Sequence, residues 1–407
     1  MIRMLHFADL HLGVENYGRF DPHTSMNSRV VDFLRRTDEM IAYAKQNEVD
    51  LTIFAGDAFK NRQPNPTLQR ELAYRIRELA EISPVILLVG NHDLPNITLR
   101  AHSLEIYDTL AVPNVLVGDK YMLYSVATKN GNVWVGTAPY PIRTNLLNEE
   151  QAQGKSMAQI DAMLQDTLQL LLRDLAREAE QHPEPRVLVG HFTVQGASFG
   201  SERAVMVGRD ATTLLGDLAD PAWDYIALGH IHKHQNLTAK LQGLPPTVYS
   251  GSLERVDFGE EADAKGFCWV ELERGNTRWQ FVRLNARPFV TLKLDVRNAD
   301  DPMAVVQNAI QAQDCREAIV RLIIDATPET DAKLRESALH EALRAAGAQT
   351  VAGIQRNVER PARSRLGITP EGMTSLELLR QYLRAKKTDP ARLETLIERA
   401  ESMLKEE

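Results

Sequence analysis

Cysteine is all but missing: the 407-residue chain has two, Cys268 and Cys315, far apart in sequence. That excludes a disulfide framework and the paired spacings of a zinc finger, and it fits a reducing compartment. No apolar run approaches the roughly 18 residues of a membrane span, and the first residues enter a strand-like run without the basic and apolar segments of a leader. A cytoplasmic protein with no membrane association is expected. Positive charge is not in surplus: 47 Lys and Arg against 55 Asp and Glu leave a net charge of −8. Any hold on nucleic acid must come from local patches, metal ions or a partner. Internal repeats and low-complexity tracts are lacking too. The length exceeds what one ordinary core spans, so a large domain with smaller additions is expected.

What the chain has in number is apolar runs that stop abruptly at polar residues. Residues 85–89 run into Gly90-Asn91-His92-Asp93. In an open α/β sheet that is how the carboxyl end of a strand reads, and ligands sit beyond such ends. Four more runs end alike, at Asp9-Leu10-His11, Gly56-Asp57, Gly190-His191 and Gly229-His230-Ile231-His232.

In chain order, the pattern predicts a strand at 4–8, a helix at 28–46 with Val31, Leu34, Met40 and Ile41 on its apolar stripe, and a strand ending at Asp57. A helix at 67–81 then leads to the strand before Gly90. Further on come a helix at 99–110, short strands over 115–139 with an Asn130-Gly131 hairpin turn, and a long helix at 157–180 before the strand ending at His191. Strands at 248–251 and 266–273 complete an α/β core. From Pro288 a separate small α/β unit is expected: strand 290–296, helix 302–313, strand 318–324, helix 329–346 and strand 350–355. A polar segment with Arg356, Arg360, Arg363 and Arg365 reads as a linker punctuated by Pro361, Gly367 and Pro370. Two short helices close the chain. Thr374 with Glu377 gives a capping box, and Asp389-Pro390 an N-cap followed by an N1 proline. The boundaries are residues 1–285 for the core, 286–357 for a capping domain, 358–372 for the linker and 373–407 for a helix-loop-helix.

Residues two apart in an extended strand point the same way, so Asp9-x-His11 and His230-x-His232 can each grip an ion from one side. Mixed imidazole and carboxylate ligands suit manganese, iron or zinc, and the absence of cysteine ligands argues against structural zinc. One catalytic ion with an open position does not need so many ligands, whereas two ions sharing a carboxylate use them all, with Asp57 as the candidate bridge.

These five blocks resemble the signature of the calcineurin-like dimetal phosphoesterases. More narrowly, Gly190-His191-Phe192-Thr193 with Gly196-Ala197-Ser198, the run 225–232, and Tyr249-Ser250-Gly251-Ser252 with Phe258-Gly259-Glu260 resemble the SbcD family of nuclease subunits. The resemblance implies a core of two sheets flanked by helices, with the small capping domain and helical hairpin added. It implies that Asp9, His11 and His232 hold one ion, Asn91, His191 and His230 the other, and Asp57 both. The ions would be Mn²⁺, with Mg²⁺, Fe²⁺ or Zn²⁺ as alternatives. His92 would then be catalytic, stabilising or protonating the leaving oxygen, with Asp93 orienting it. The family often has a histidine three residues after the bridging aspartate; here that position is Lys60, which cannot shuttle protons as readily.

Blander readings apply to the remaining histidines. His6, His102 and His234 fall outside the blocks and read as structural or surface residues, and the arginines of 356–365 as a solvated linker. The expected function is a metal-dependent DNA nuclease, acting on duplex ends, hairpins and single strands within an SbcCD-type repair and recombination complex. The resemblance also implies a homodimer within a heterotetramer and docking of the terminal hairpin on an SbcC-type ATPase; the helical pattern of Leu68, Leu72, Ile76, Leu99 and Leu104 reads equally well as a dimer contact or as core. The alternatives are a phosphodiesterase for small nucleotides and a DNA-end scaffold for an ATPase.

Overall fold

The computed structural model of the chain describes residues 1–95, 100–142, 146–147, 154–200, 212–359 and 373–405. It divides into two compact units, the first made of residues 1–291 with 315–320 and 347–352, the second of 292–314, 321–346 and 353–407.

Two six-stranded sheets carry the first unit. One has the order Arg278–Arg283, Gly266–Leu272, Ile2–Phe7, Leu51–Phe54, Val85–Leu88, Val115–Gly118, and its last four strands run parallel. The other has the order Gln235–Asn236, Thr247–Tyr249, Tyr225–Gly229, Arg186–His191, Gly131–Ala138, Met122–Thr128, with its four middle strands parallel. Parallel strands covered on both faces need apolar side chains on both, which is why Leu51–Phe54, Val85–Leu88 and Tyr225–Gly229 are buried throughout. Met4, Ile53, Ile86, Val135, Val189 and Tyr225 fill the space between the sheets. Helices Ser28–Gln46 and Pro66–Ala80 cover the outer face of the first sheet, and Met157–Glu180 that of the second.

Each of those helices starts where its sequence provides a cap. Asn27 and Asn65 accept backbone N–H bonds from Arg29 and Leu68, and Ser156 forms a reciprocal capping box with Gln159, contributions of about 1 kcal/mol each. The long helix buries Ile160, Leu164, Leu168, Leu172 and Leu175, a stripe at helical spacing.

In the second unit, helices Pro302–Ala312 and Glu336–Ala345 pack on each other, and the strands Phe289–Asp295, Ile319–Ala326 and Thr350–Val358 form a three-stranded sheet whose first residues belong to the first unit. The expected helix at 329–346 is broken: Pro328–Asp331 is a separate capped turn, and the chain is extended at Arg335. Leu334 lies five residues before Leu339, about 140° off the Leu339–Leu343 stripe, so one straight helix could not bury all of them. The expected helix at 99–110 is only Glu105–Thr109 in the described residues, because Ser103 is tied to Asp93 through its backbone N–H and its hydroxyl. Arg356 belongs to strand Thr350–Val358 and pairs with Asp331 at 3.4 Å, so it is not in the linker. Arg360, Arg363 and Arg365, with the other linker residues from 360 to 372, lie outside the described residues, as does Leu99, whereas Val358 ends the strand Thr350–Val358. Helices Ser375–Ala385 and Pro390–Lys405 form a hairpin, with Thr374 capped by Glu377 as expected.

Candidate metal centre

The site forms where the parallel strands of both sheets end. Ile2–Phe7, Leu51–Phe54 and Val85–Leu88 deliver Asp9 and His11, Asp57, and Asn91 with His92; Arg186–His191 and Tyr225–Gly229 deliver His191, His230 and His232. Turning so tightly after a strand requires unusual backbone. Asp9, His11, Asp57 and His230 all have positive φ, at 52°, 44°, 62° and 92°. Such conformations cost of order 1–3 kcal/mol each in non-glycine residues and persist where surroundings enforce them. The glycines beside them allow close approach: a Cβ on Gly90 would lie 2.2 Å from Asp57 Oδ1, and one on Gly56 2.3 Å from His191 Nδ1.

Among the groups of ligand atoms that result, two share no residue. Asp9, His11 and His232 lie within reach of one ion, and Asp57, His191 and His230 within reach of another. Asp57 stands between them, Oδ2 lying 3.6 Å from His11 Nε2 and Oδ1 3.4 Å from His191 Nε2. Asn91 Oδ1 lies 3.1 Å from His191 Nε2 and 3.0 Å from His230 Nδ1, which puts it on the second group. The donor set fits ions rather than a hydrogen-bond network. His11 Nε2 and His232 Nε2 face each other at 2.9 Å, and Asp9 Oδ2 is buried without a hydrogen-bond partner. A divalent cation satisfies such converging acceptors directly.

The electrostatics reflect this crowding. Burial, and then the neighbouring His232, push His11 well below the ordinary imidazole range. Burial opposes ionisation of Asp57, yet the imidazoles of His191, His11 and His92 hold its carboxylate well below the usual range. All these groups are buried except Asn91 and His92, which are half-buried. Asn91 and His92 are thus the ligand-type residues of the site that solvent reaches.

His92 Nδ1 lies 2.8 Å from the Lys60 carbonyl, so the ring donates there and Nε2 is the nitrogen left for other chemistry. His92 also lies within ligand distance of His11 and Asp57, so geometry alone admits it as a ligand too. Asp93 does not orient the His92 ring as expected. Its carboxylate accepts from the N–H groups of Asp57, Gly90 and Ala58 and from the Ser103 hydroxyl, and so fixes the loop that carries Asp57. Burial first, and then Asp57, raise Asp93 to about 7. Position 60 retains a use that a sequence reading had no way to register, since it is the backbone of Lys60 that positions His92.

Other histidines orient differently. His191 Nδ1 lies 2.6 Å from the Ala55 carbonyl. His232 Nδ1 lies 2.7 Å from Glu260 Oε1, and Glu260 Oε2 is 2.9 Å from the buried Lys265 ammonium. Lys265 was not legible in sequence, and Glu260 only as part of a motif without a role. His6 is buried against Tyr225, and His234 stacks on Phe281 with Nδ1 on the Tyr249 carbonyl; both are structural.

A sequence profile of the calcineurin-like phosphoesterases matches residues 2–234, and the chain belongs to that family. Its two helix-flanked sheets are the family's fold. Within the family it is similar to the SbcD subunit of the SbcCD nuclease of Bacillus subtilis, 30% identical over 72% of each chain, and to that of Rhodobacter capsulatus, 26% identical over 58% of this chain and 59% of that one. It is also 25% identical to the DNA double-strand break repair protein Mre11 of Haloferax volcanii, over 81% of this chain and 63% of that one.

Proposed function

We propose that the chain is a Mn²⁺-dependent DNA nuclease, the SbcD-type component of an SbcCD-type complex. The observation that carries this is the pair of ligand groups at the ends of two sheets, with Asp57 lying between His11 and His191; the names of its relatives favour DNA as substrate. Asp9, His11 and His232 would hold one ion, Asn91, His191 and His230 the other, and Asp57 both. Bound there, the ions would neutralise charge on the phosphoryl oxygens and acidify a water for attack on phosphorus. His92, held at Nδ1 by the Lys60 carbonyl, has Nε2 left to give a proton to the leaving oxygen. Asp93 keeps the Asp57 loop in place. The core spans 1–285, with a capping domain at 286–357, a linker at 358–372 and the hairpin at 373–407.

The hairpin docks on the coiled-coil base of an SbcC-type ATPase. In support, Tyr382, Leu396 and Met403 are exposed apolar residues on its two helices. Homodimerisation uses the helices Pro66–Ala80 and Glu105–Thr109, but not the leucines and isoleucine that the sequence pattern suggests. Leu68, Leu72, Ile76 and Leu104 are buried in the core of the chain itself, whereas Tyr74, Ile106 and Leu110 are exposed. Cleavage of linear duplex DNA with and without Mn²⁺, against a small phosphodiester, tests the reading. Turnover of the small ester alone would overturn it.

A further inference from the structure

The two ligand groups are backed unequally. Behind His191 stands a neutral backbone carbonyl, that of Ala55. Behind His232 stands a carboxylate: Nδ1 lies 2.7 Å from Glu260 Oε1, and both side chains are buried. Glu260 does not stand alone. Its Oε2 accepts from the Val256 N–H at 2.8 Å and lies 2.9 Å from Lys265 Nζ, and Lys265 in turn donates to the His232 carbonyl and the Ser252 hydroxyl. A fully buried lysine with three partners around one histidine is costly to desolvate unless each charge is compensated, and here each is.

The arrangement has a definite effect on His232. A carboxylate at Nδ1 keeps the proton there, so that Nε2 carries the lone pair, and Nε2 is the atom facing His11. The carboxylate also makes the ring a stronger donor than a carbonyl would. We infer that Glu260, held by Lys265, is a positioning residue that strengthens binding of the ion on Asp9, His11 and His232 and not that of the other ion. This rests on the dimetal reading of the site.

The test is Mn²⁺ titration calorimetry on the full chain in two backgrounds. In His191→Ala protein the remaining ion is the one on the Asp9 side, and adding Glu260→Gln should weaken it 10- to 100-fold. In His232→Ala protein the remaining ion is on the other side, and Glu260→Gln should leave it unchanged. Equal weakening in both backgrounds means that Glu260 only stabilises the fold, and no weakening in either means that it does not act on the metal; each overturns the inference. If Glu260→Gln fails to fold because Lys265 loses its counter-charge, the Glu260→Gln, Lys265→Met pair restores neutrality and is titrated instead, with the same outcomes expected. Should the unsubstituted chain bind no Mn²⁺, the dimetal reading itself fails, an outcome distinct from the others.

Discussion

His92 and His191 use their ring nitrogens differently, and that difference sets their predicted phenotypes. The Lys60 carbonyl fixes the His92 ring at Nδ1, and the residue is half-buried. His92→Ala should abolish phosphodiester cleavage and leave two Mn²⁺ bound in calorimetry. Loss of an ion in that variant would make His92 a ligand. His191 lies wholly inside, against Asp57 and Asn91, so His191→Ala should lose an ion and activity together. A second residue-scale prediction concerns acid. Burial lowers His6 from the ordinary value of 6.5 to about 3, so the folded state holds it neutral while the unfolded chain takes up a proton as pH falls below about 6.5. Its contribution is complete above that pH and is lost between 6.5 and 3, at roughly 1.4 kcal/mol per pH unit at most. His6→Leu should flatten the fall in Tm over that window, as followed by thermal melts at stepped pH.

Helices were the most legible elements. Ser28–Gln46 and Met157–Glu180 have the bounds that periodicity and caps imply, and of the expected stripe of the first Leu34, Met40 and Ile41 are buried while Val31 is only half-buried, with Val30 and Phe33 buried beside it. The break after Asp331 was not legible, because nothing in Ala332 to Arg335 forbids a helix; it follows from where Leu334 must be buried. The candidate ligands were legible because strand ends, glycines and ligand-type residues coincide. The layer behind them was not: Glu260 and Lys265 approach His232 only through tertiary folding, and Asp93 spends its hydrogen bonds on backbone amides. At this scale the terminal hairpin carries the partner prediction. Deleting everything after residue 372 should leave Mn²⁺-dependent cutting of single strands while abolishing co-purification with the ATPase. Retention of unchanged affinity would shift the contact to the capping domain.

For the whole molecule, the net charge of −8 sets the limit. Bulk electrostatics of the chain do not favour DNA, so local basic patches, ions or a partner must supply the grip, and a dimer would double the contact. If the chain dimerises through Tyr74, Ile106 and Leu110, all exposed, then Ile106→Asp with Leu110→Asp should halve the mass seen by light scattering at micromolar concentration. The active site of each copy should still load metal. A monomeric mass for the unsubstituted chain would refute the dimer.

The positive-φ turns have a consequence for how fast the protein becomes competent. The amides of Asp9, His11, Asp57 and His230 are bonded within the protein itself, to Gly56 O, Asp57 O, Asp93 Oδ2 and Asp9 Oδ1. The loops are thus knitted to one another by bonds that owe nothing to a cation. Metal uptake should then be a matter of diffusion and dehydration with little refolding. Deuterium uptake at these amides should be slow already in chelator-treated protein and change little on adding Mn²⁺, and activity should return within the mixing time of a stopped-flow experiment. The rate at which activity appears would then follow the free ion concentration and not a folding step.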